Sequence, residues 1–280
     1  MKPKQSPAGA WIAGGLAVAA VVAGGLYLAR SGPQAVSQLP GATATTPTTA
    51  ANPTASADTA PAIQHPIEQA AIGDEAAPTE PLPELGASDA PAFDAIAAVA
   101  GGSEALGTLV SPEHLVQRVV ASVDGLTKPQ LGENVSPLRA APGLFATRAD
   151  GSARVIATDN AERYDAYARI AQSIDAKKLV AWYVHAYPLF QNAYRELGYP
   201  NAYFNDRLVA VIDHLLATPD PQQPLAVTRP NVLYEFADPA LESRSAGQKA
   251  LLRAGPRNEA VIKAKLREIR SALSGSPPPR

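Results

Sequence analysis

Hydrophobic and polar positions give this chain three textures. From Trp11 to Ala29 the run WIAGGLAVAAVVAGGLYLA is uncharged and almost wholly apolar. From Ser31 to Ala92 large apolar residues are sparse and neither a helical nor a strand period holds. From Phe93 onward apolar positions recur in sets. FDAIAAVAG and SPEHLVQRVVASVDGL read as helices, the second with Ser111 as N-cap and Pro112 at its first position. LTKPQLGENVSPLRAAPG reads as loop, and LFATRADGSARVIAT as a β-hairpin turning at Asp150-Gly151. DNAERYDAYARIAQSID predicts a helix opened by a capping box of Asp159 and Glu162, with Tyr164, Tyr167, Ile170 and Ile174 on its apolar face.

The strongest periodicity follows. Leu179, Tyr183, Ala186, Phe190, Ala193 and Leu197 alternate spacings of four and three, which is the core stripe of one helix. Pro188 lies within it and predicts a kink or a division, while Gly198 and Pro200 mark its end. NDRLVAVIDHLLATP is the next helix, with Asn205 as N-cap and Leu208, Val211, Ile212, Leu215 and Leu216 on its buried side. PLAVTRPNVLYEFADP is extended and interrupted at Pro230. DPALESRSAGQKALLRAG and GPRNEAVIKAKLREIRSAL are closing helices. The last turns Ile262, Leu266, Ile269 and Leu273 inward and pairs Glu259 with Lys263 at i, i+4. The expected fold class is mainly α with a minor β part: a compact multi-helix domain over residues 93–273 with a small β-hairpin, then a tail at 274–280.

Composition changes the reading of the first two textures. The 19 residues of the apolar run make about 28 Å of helix, close to the ~30 Å hydrocarbon core of a bilayer. Trp11 and Tyr27 fall near its two ends, where such rings prefer the headgroup level. Lys2 and Lys4 precede the run and only Arg30 follows it closely, so the charge rule puts residues 1–10 in the cytoplasm and the remainder outside. A cleaved signal peptide has a shorter apolar region, so residues 11–29 are expected to be a retained transmembrane helix. Gly15, Ala19 and Ala23, like Ala20 and Gly24, are spaced by four, a spacing compatible with self-association through the anchor. Residues 31–92 hold ten prolines and read as a disordered Ala/Pro/Thr-rich acidic linker. Its 62 residues reach on the order of 190 Å when extended as polyproline II.

The absence of cysteine excludes thiol catalysis, Cys-based zinc sites, disulfides and a lipidated cysteine anchor. A net charge of −2 predicts no nucleic-acid partner. The charge is nonetheless uneven: residues 31–117 carry ten acids and no Lys or Arg, whereas residues 248–280 carry eight basic residues and two acids.

Three phrases, YPLFQNAYRELGYPNAYFNDRLVAVIDHLLATP, VLYEFADPALESRSAGQKALLRAGP and IKAKLREIRSAL, together resemble an uncharacterised proteobacterial envelope family, domain-of-unknown-function family 3014. The resemblance covers about Leu131 to Leu273. It implies a single-pass envelope protein laid out as anchor, linker and domain, and supplies no activity, cofactor or catalytic residue.

Known site motifs are missing. There is no phosphate-binding Gly-rich loop, no HExxH and no G-x-S-x-G elbow. His65, His114, His185 and His214 are scattered, so neither a metal nor another cofactor is expected. Seven of the nine tyrosines lie between Tyr164 and Tyr203. Most fit core packing, but GYPNAYFND gathers rings and polar groups where a helix breaks. Tyr199, Asn201, Tyr203, Asn205 and Asp206 are therefore the candidate binding turn for a peptide or glycan, against the alternative that the rings only tether the turn. Glu196, Asp206 and Asp213 are the candidate acids if the domain is an enzyme, since glycoside hydrolysis needs two facing carboxyls roughly 5–9.5 Å apart. Asp213 and His214 are adjacent on a helix, diverge, and form no direct dyad. Lys263, Lys265, Arg267 and Arg270 are the candidate basic docking face for anionic membrane, an envelope polyanion or the acidic linker. The resulting expectation is a non-catalytic binding or scaffolding module, anchored in a bacterial inner membrane with its domain in the periplasm and an envelope protein or glycan as partner. The alternative is a glycan- or peptide-cleaving enzyme working from the acids near residues 198–206.

Overall fold

The computed structural model describes residues 62–70, 80–100, 102–132, 135–221, 224–231 and 233–274. The expected cytoplasmic segment 1–10, the transmembrane helix at 11–29 and tail residues 275–280 lie outside the described residues. Among the described residues no helix is long and apolar enough to cross a membrane.

Helices α1 (Asp89–Val99), α2 (Ser103–Leu109) and α3 (Leu115–Gly125) come first, followed by strands β1 (Thr147–Asp150) and β2 (Ala153–Ile156). A 3-10 segment, Thr158–Tyr164, leads into α4 (Asp165–Ser173), α5 (Ala176–Glu196) and α6 (Phe204–Leu216). Strands β3 (Ala226–Thr228) and β4 (Glu235–Phe236), the short α7 (Pro239–Glu242), α8 (Ala246–Ala254) and α9 (Pro256–Ser274) complete the chain. The fold is mainly helical with one small sheet.

The α5 stripe and the inward face of α6 make the centre of the core. Phe190 of α5 stacks on Phe204 of α6 with centroids 5.8 Å apart, and the Tyr183 ring meets Phe190 edge-on at 5.2 Å. Such ring pairs add to the burial energy of the side chains themselves. Helix α9 packs along α4, α5 and α6, and α3 packs along α5 and α6. Leu179, Ile212, Leu215, Leu251, Leu266 and Leu273 are consequently buried. The division expected at Pro188 does not occur, and α5 runs unbroken from Ala176 to Glu196. Proline removes one backbone donor, but Tyr183, Ala186, Phe190 and Ala193 on both sides of it share one buried face.

Helix starts differ from their local signals. Ser111 is not the N-cap of α3; its hydroxyl donates to Glu113 Oε2, and the helix starts at Leu115. The cap comes from another helix. Asp89 Oδ2 accepts from His114 N and Oδ1 from Leu115 N, both at 2.8 Å. These bonds hold His114 in the left-handed region at φ 51°, which a side chain with a Cβ otherwise disfavours. No Asp159–Glu162 capping box forms. The segment is 3-10, and Asn160 fixes it by accepting from Ala146 N and donating to Arg253 O, each at 3.1 Å.

The predicted hairpin is present, with Asp150 opposite Ala153 and Gly151 at φ 58° in the turn. It is half of a larger unit. β3 and β4, the two extended pieces around Pro230, add to it in the antiparallel order β1-β2-β3-β4. Leu225, Val227 and Phe236 pack with Leu252 of α8 into a second, smaller core.

The linker boundary needs the largest correction. Residues 62–70 and 80–92, assigned to the disordered linker, are folded onto the domain. Ile67, Ala70, Leu82 and Leu85 pack against the main core, and Ser88 and Ala92 are buried. Helix α1 begins at Asp89 rather than Phe93, and the Asp89 carboxylate caps α3.

The packing of α8 leaves no room at Gly247. A Cβ there would meet Leu215 Cδ2 at 2.5 Å and Leu126 O at 3.0 Å, and Gly247 N donates to that same carbonyl. The Gly247→Ala variant is expected to lose about 1–3 kcal/mol of stability, the usual range for overpacking. Urea unfolding midpoints of the two proteins check this.

Candidate functional site around the aromatic turn

The turn between α5 and α6 is built from side chains that bond inward. Gln191 of α5 replaces the expected cap at Asn205: its Oε1 accepts from Phe204 N at 2.9 Å and from the Tyr187 hydroxyl at 2.8 Å. Its Nε2 donates to Ala202 O at 2.8 Å. Helix α6 thus opens at Phe204, with Tyr203 in the cap position. The Tyr199 ring stacks on Tyr194 at 4.6 Å.

A buried carboxylate lies under this turn. Asp124, near the end of α3, is 4% exposed. It accepts from Lys128 Nζ at 2.7 Å, Arg207 Nε at 3.0 Å and the Tyr199 hydroxyl at 3.2 Å. Arg207 Nη2 also donates to Asp124 O and to Thr127 Oγ1. The hydrogen bond to Asp124 raises the pKa of Lys128 despite partial desolvation.

Asn205 and Asp206 face a different neighbour, the segment 62–70. Asp206 Oδ2 accepts from Gln64 N at 3.0 Å and Oδ1 from His65 N at 2.6 Å. Asn205 Nδ2 donates to His65 O at 2.7 Å. Two successive N–H groups and one carbonyl of the strap are therefore read through its main chain. Ile67 and Ala70 then seat against the core.

The candidate residues separate accordingly. Tyr199 is bonded into the Asp124 cluster, Asn205 and Asp206 hold the strap, Tyr203 is half-buried and Asn201 is exposed. The turn does grip a peptide, but that peptide is the chain's own upstream segment. The three candidate acids have separate employments. Glu196 is exposed at the end of α5, Asp206 holds the strap, and Asp213 accepts from Arg270 Nε at 3.0 Å and Nη2 at 3.2 Å.

Three of the four residues of the candidate basic docking face have partners inside the domain. Lys263, with a side chain 6% exposed, lies 2.7 Å from Glu259 Oε1 and donates to Thr218 O and Asp220 Oδ1. Lys265 donates to Ile174 O and Glu268, and Arg270 is committed to Asp213. Arg267 is exposed. Charge runs legible in sequence do not show which members reach inward partners.

Burial favours the neutral forms of Tyr183, Tyr194 and His214. Desolvation pushes Tyr183 well up and Tyr194 up to about 12. It also pushes His214 below its ordinary value, with Arg207 and Arg244 adding to the effect. His214 Nε2 lies 2.7 Å from the Ser245 hydroxyl, which caps α8 by accepting from Gln248 N. Among the described residues no three His, Cys, Asp or Glu side chains converge to hold a metal ion.

Sequence reasoning missed Asp124, Arg207 and the strap. The only local signal for Asp124 was an acid following Val119, Val120 and Val123 on an otherwise apolar helix. The strap carried none, since its recognition is through backbone atoms.

A family model described as protein of unknown function (DUF3014) matches residues 115–270. The matched region runs from the first residue of α3 to Arg270 and so holds the aromatic turn, while the strap lies outside it. No curated protein and no solved structure matches the chain.

Two outcomes follow from this geometry. Asp206→Ala removes the acceptor for both strap amides. Exchange of the Gln64 and His65 amide hydrogens is expected to accelerate at least about tenfold, as loss of hydrogen bonds to a charged group implies. The amides of α5 and α6 should keep their protection in the same hydrogen-exchange experiment. For His214, the folded site resists a proton that the unfolded chain accepts as pH falls through 6.5. The unfolded state then binds more protons, so stability falls with pH below that value and is unaffected by this group well above it. His214→Gln is expected to flatten this dependence, read from urea midpoints at pH 5.5 and 7.5.

Proposed function

The chain belongs to the DUF3014 family, and on its geometry we propose a non-catalytic binding or scaffolding module carried by a single membrane anchor on the periplasmic side of a bacterial inner membrane. The observation that carries the non-catalytic part is the commitment of two of the three candidate acids. Asp206 is bonded to two strap amides and Asp213 to Arg270. An acid catalyst needs a carboxyl within reach of a substrate proton, and each oxygen of these two already accepts a hydrogen bond from the chain itself. The anchor rests on the uncharged run at 11–29 and the lysines before it.

On this reading the domain is displayed by its linker and grips the last part of that linker through Asn205 and Asp206. Its partner is an envelope protein or glycan rather than nucleic acid, given a net charge of −2 and the extracytoplasmic side assigned by the flanking charges.

The full chain is expected in the membrane pellet after high-salt and carbonate washes, and deletion of residues 11–29 should release it. Protease added to spheroplasts should reach the domain. Purified protein mixed with cell-wall glycan is expected to co-sediment without releasing soluble fragments. Fragment release abolished by Glu196→Gln, Asp206→Asn and Asp213→Asn together would establish the enzyme reading instead.

A further inference from the structure

An open groove of about 480 Å³ lies on the small sheet, remote in sequence from the aromatic turn. Its walls come from the start of β2, from β3 and from the residues flanking β4. Arg154, Arg229 and Tyr234 are its large polar members, set among Ala153, Ala226 and Ala237. No carboxylate is among the described residues that line it.

Strand register puts Arg154 opposite Val227, two residues before Arg229. Thr228 pairs with Glu235, so Arg229 and Tyr234 follow as the next opposed positions. The Arg229 guanidinium carbon sits 5.4 Å from the centroid of the Tyr234 ring. From the other side, Arg154 Nη1 donates to Thr147 Oγ1 at 3.1 Å, and Arg154 lines the same groove as Tyr234. Phe145 supports that ring at 5.4 Å. One guanidinium thus lies over the Tyr234 ring and a second borders the same groove. The phenol's pKa is lowered from its ordinary value, chiefly by Thr147 and then by Arg154 and Arg229.

We infer that this groove binds the free carboxylate end of a short peptide with small side chains. A guanidinium fork matches a planar carboxylate with two parallel hydrogen bonds. The alanines leave room for methyl-sized side chains, the Tyr234 ring offers an apolar shelf, and the volume is that of a small-ligand site. This deepens the binding-module reading and rests on it, without depending on the membrane anchor.

The test is calorimetric titration of the full chain in detergent micelles with Ala-Ala-Ala, its C-terminal amide and inorganic phosphate. Saturable binding of the acid is expected, with the amide weaker by at least about tenfold, as loss of a charged hydrogen-bonding partner implies. Arg154→Gln combined with Arg229→Gln should weaken the acid by a similar factor while the melting temperature stays unchanged. Should that pair unfold, Arg154→Lys with Arg229→Lys keeps the charge, loses the fork and is expected to weaken binding several-fold. Equal binding of acid and amide, no saturable binding, or undiminished binding by the folded arginine variants would overturn the site. Displacement of the tripeptide by equimolar phosphate would replace it with a plain anion site and overturn the peptide assignment. A chain that binds the tripeptide but washes off membranes loses the anchor alone; one that stays on membranes and binds no tripeptide loses the groove alone.

Discussion

A carboxylate buried at the negative end of a helix is the constraint around which the middle of the domain is arranged. Asp124 sits in the last turn of α3, where unpaired carbonyls already make the potential unfavourable for an anion. Burial makes the charge harder still to tolerate. It persists because Arg207 and Lys128 reach it, and because the Tyr199 hydroxyl supplies a further donor. Arg207 answers both problems at once, since its other nitrogen bonds the Asp124 carbonyl. A buried ion pair is weak evidence of net stabilisation, but removing one partner is costly. Its effect here is positional: the first turn of α6 must lie against the last turn of α3.

Much else follows from that placement. With Arg207 pointing toward α3, the residues just before it look elsewhere, and Asn205 and Asp206 meet the strap. Phe204 enters the core against Phe190, and Gln191 closes the gap in the turn by bonding both Phe204 N and Ala202 O. The crowded aromatic passage is therefore a joint. Its rings fill the core and its polar groups fasten three segments that are far apart in the chain. The sheet lies outside this system, and its groove is lined by Arg154 and by Arg229 just after β3.

What was readable in the sequence followed the range of the interaction. The stripes of α5, α6 and α9 and the hairpin at Asp150-Gly151 arise from periodicity and turn chemistry within a few residues, and they hold except at Leu197, which lies past the end of α5 and is 41% exposed. Ser111 and Asn205 had the right chemistry for caps but lost to Asp89 and Gln191, which act from 26 and 13 residues away. Pro188 carried a local break signal that packing on both sides outweighed. The linker reading failed at 62–70 because disorder was judged from composition, whereas order there comes from Asn205 and Asp206 some 140 positions later. The basic helix misled for a related reason: a charge run shows no difference between Arg267, left in solvent, and Lys263, drawn inside.

The strap also has a mechanical meaning. Tension on the chain before residue 62 would reach the domain first at Gln64 and His65, which are clamped by Asn205 and Asp206. The bonds at that point are loaded together, with Ile67 and Ala70 seated behind them, before any pull reaches α1. Asp89 and the cap it provides for α3 are thereby shielded from a force that would otherwise peel the domain from its first helix. The strap acts as strain relief, like the clamp that keeps a cable from tugging on its solder joint.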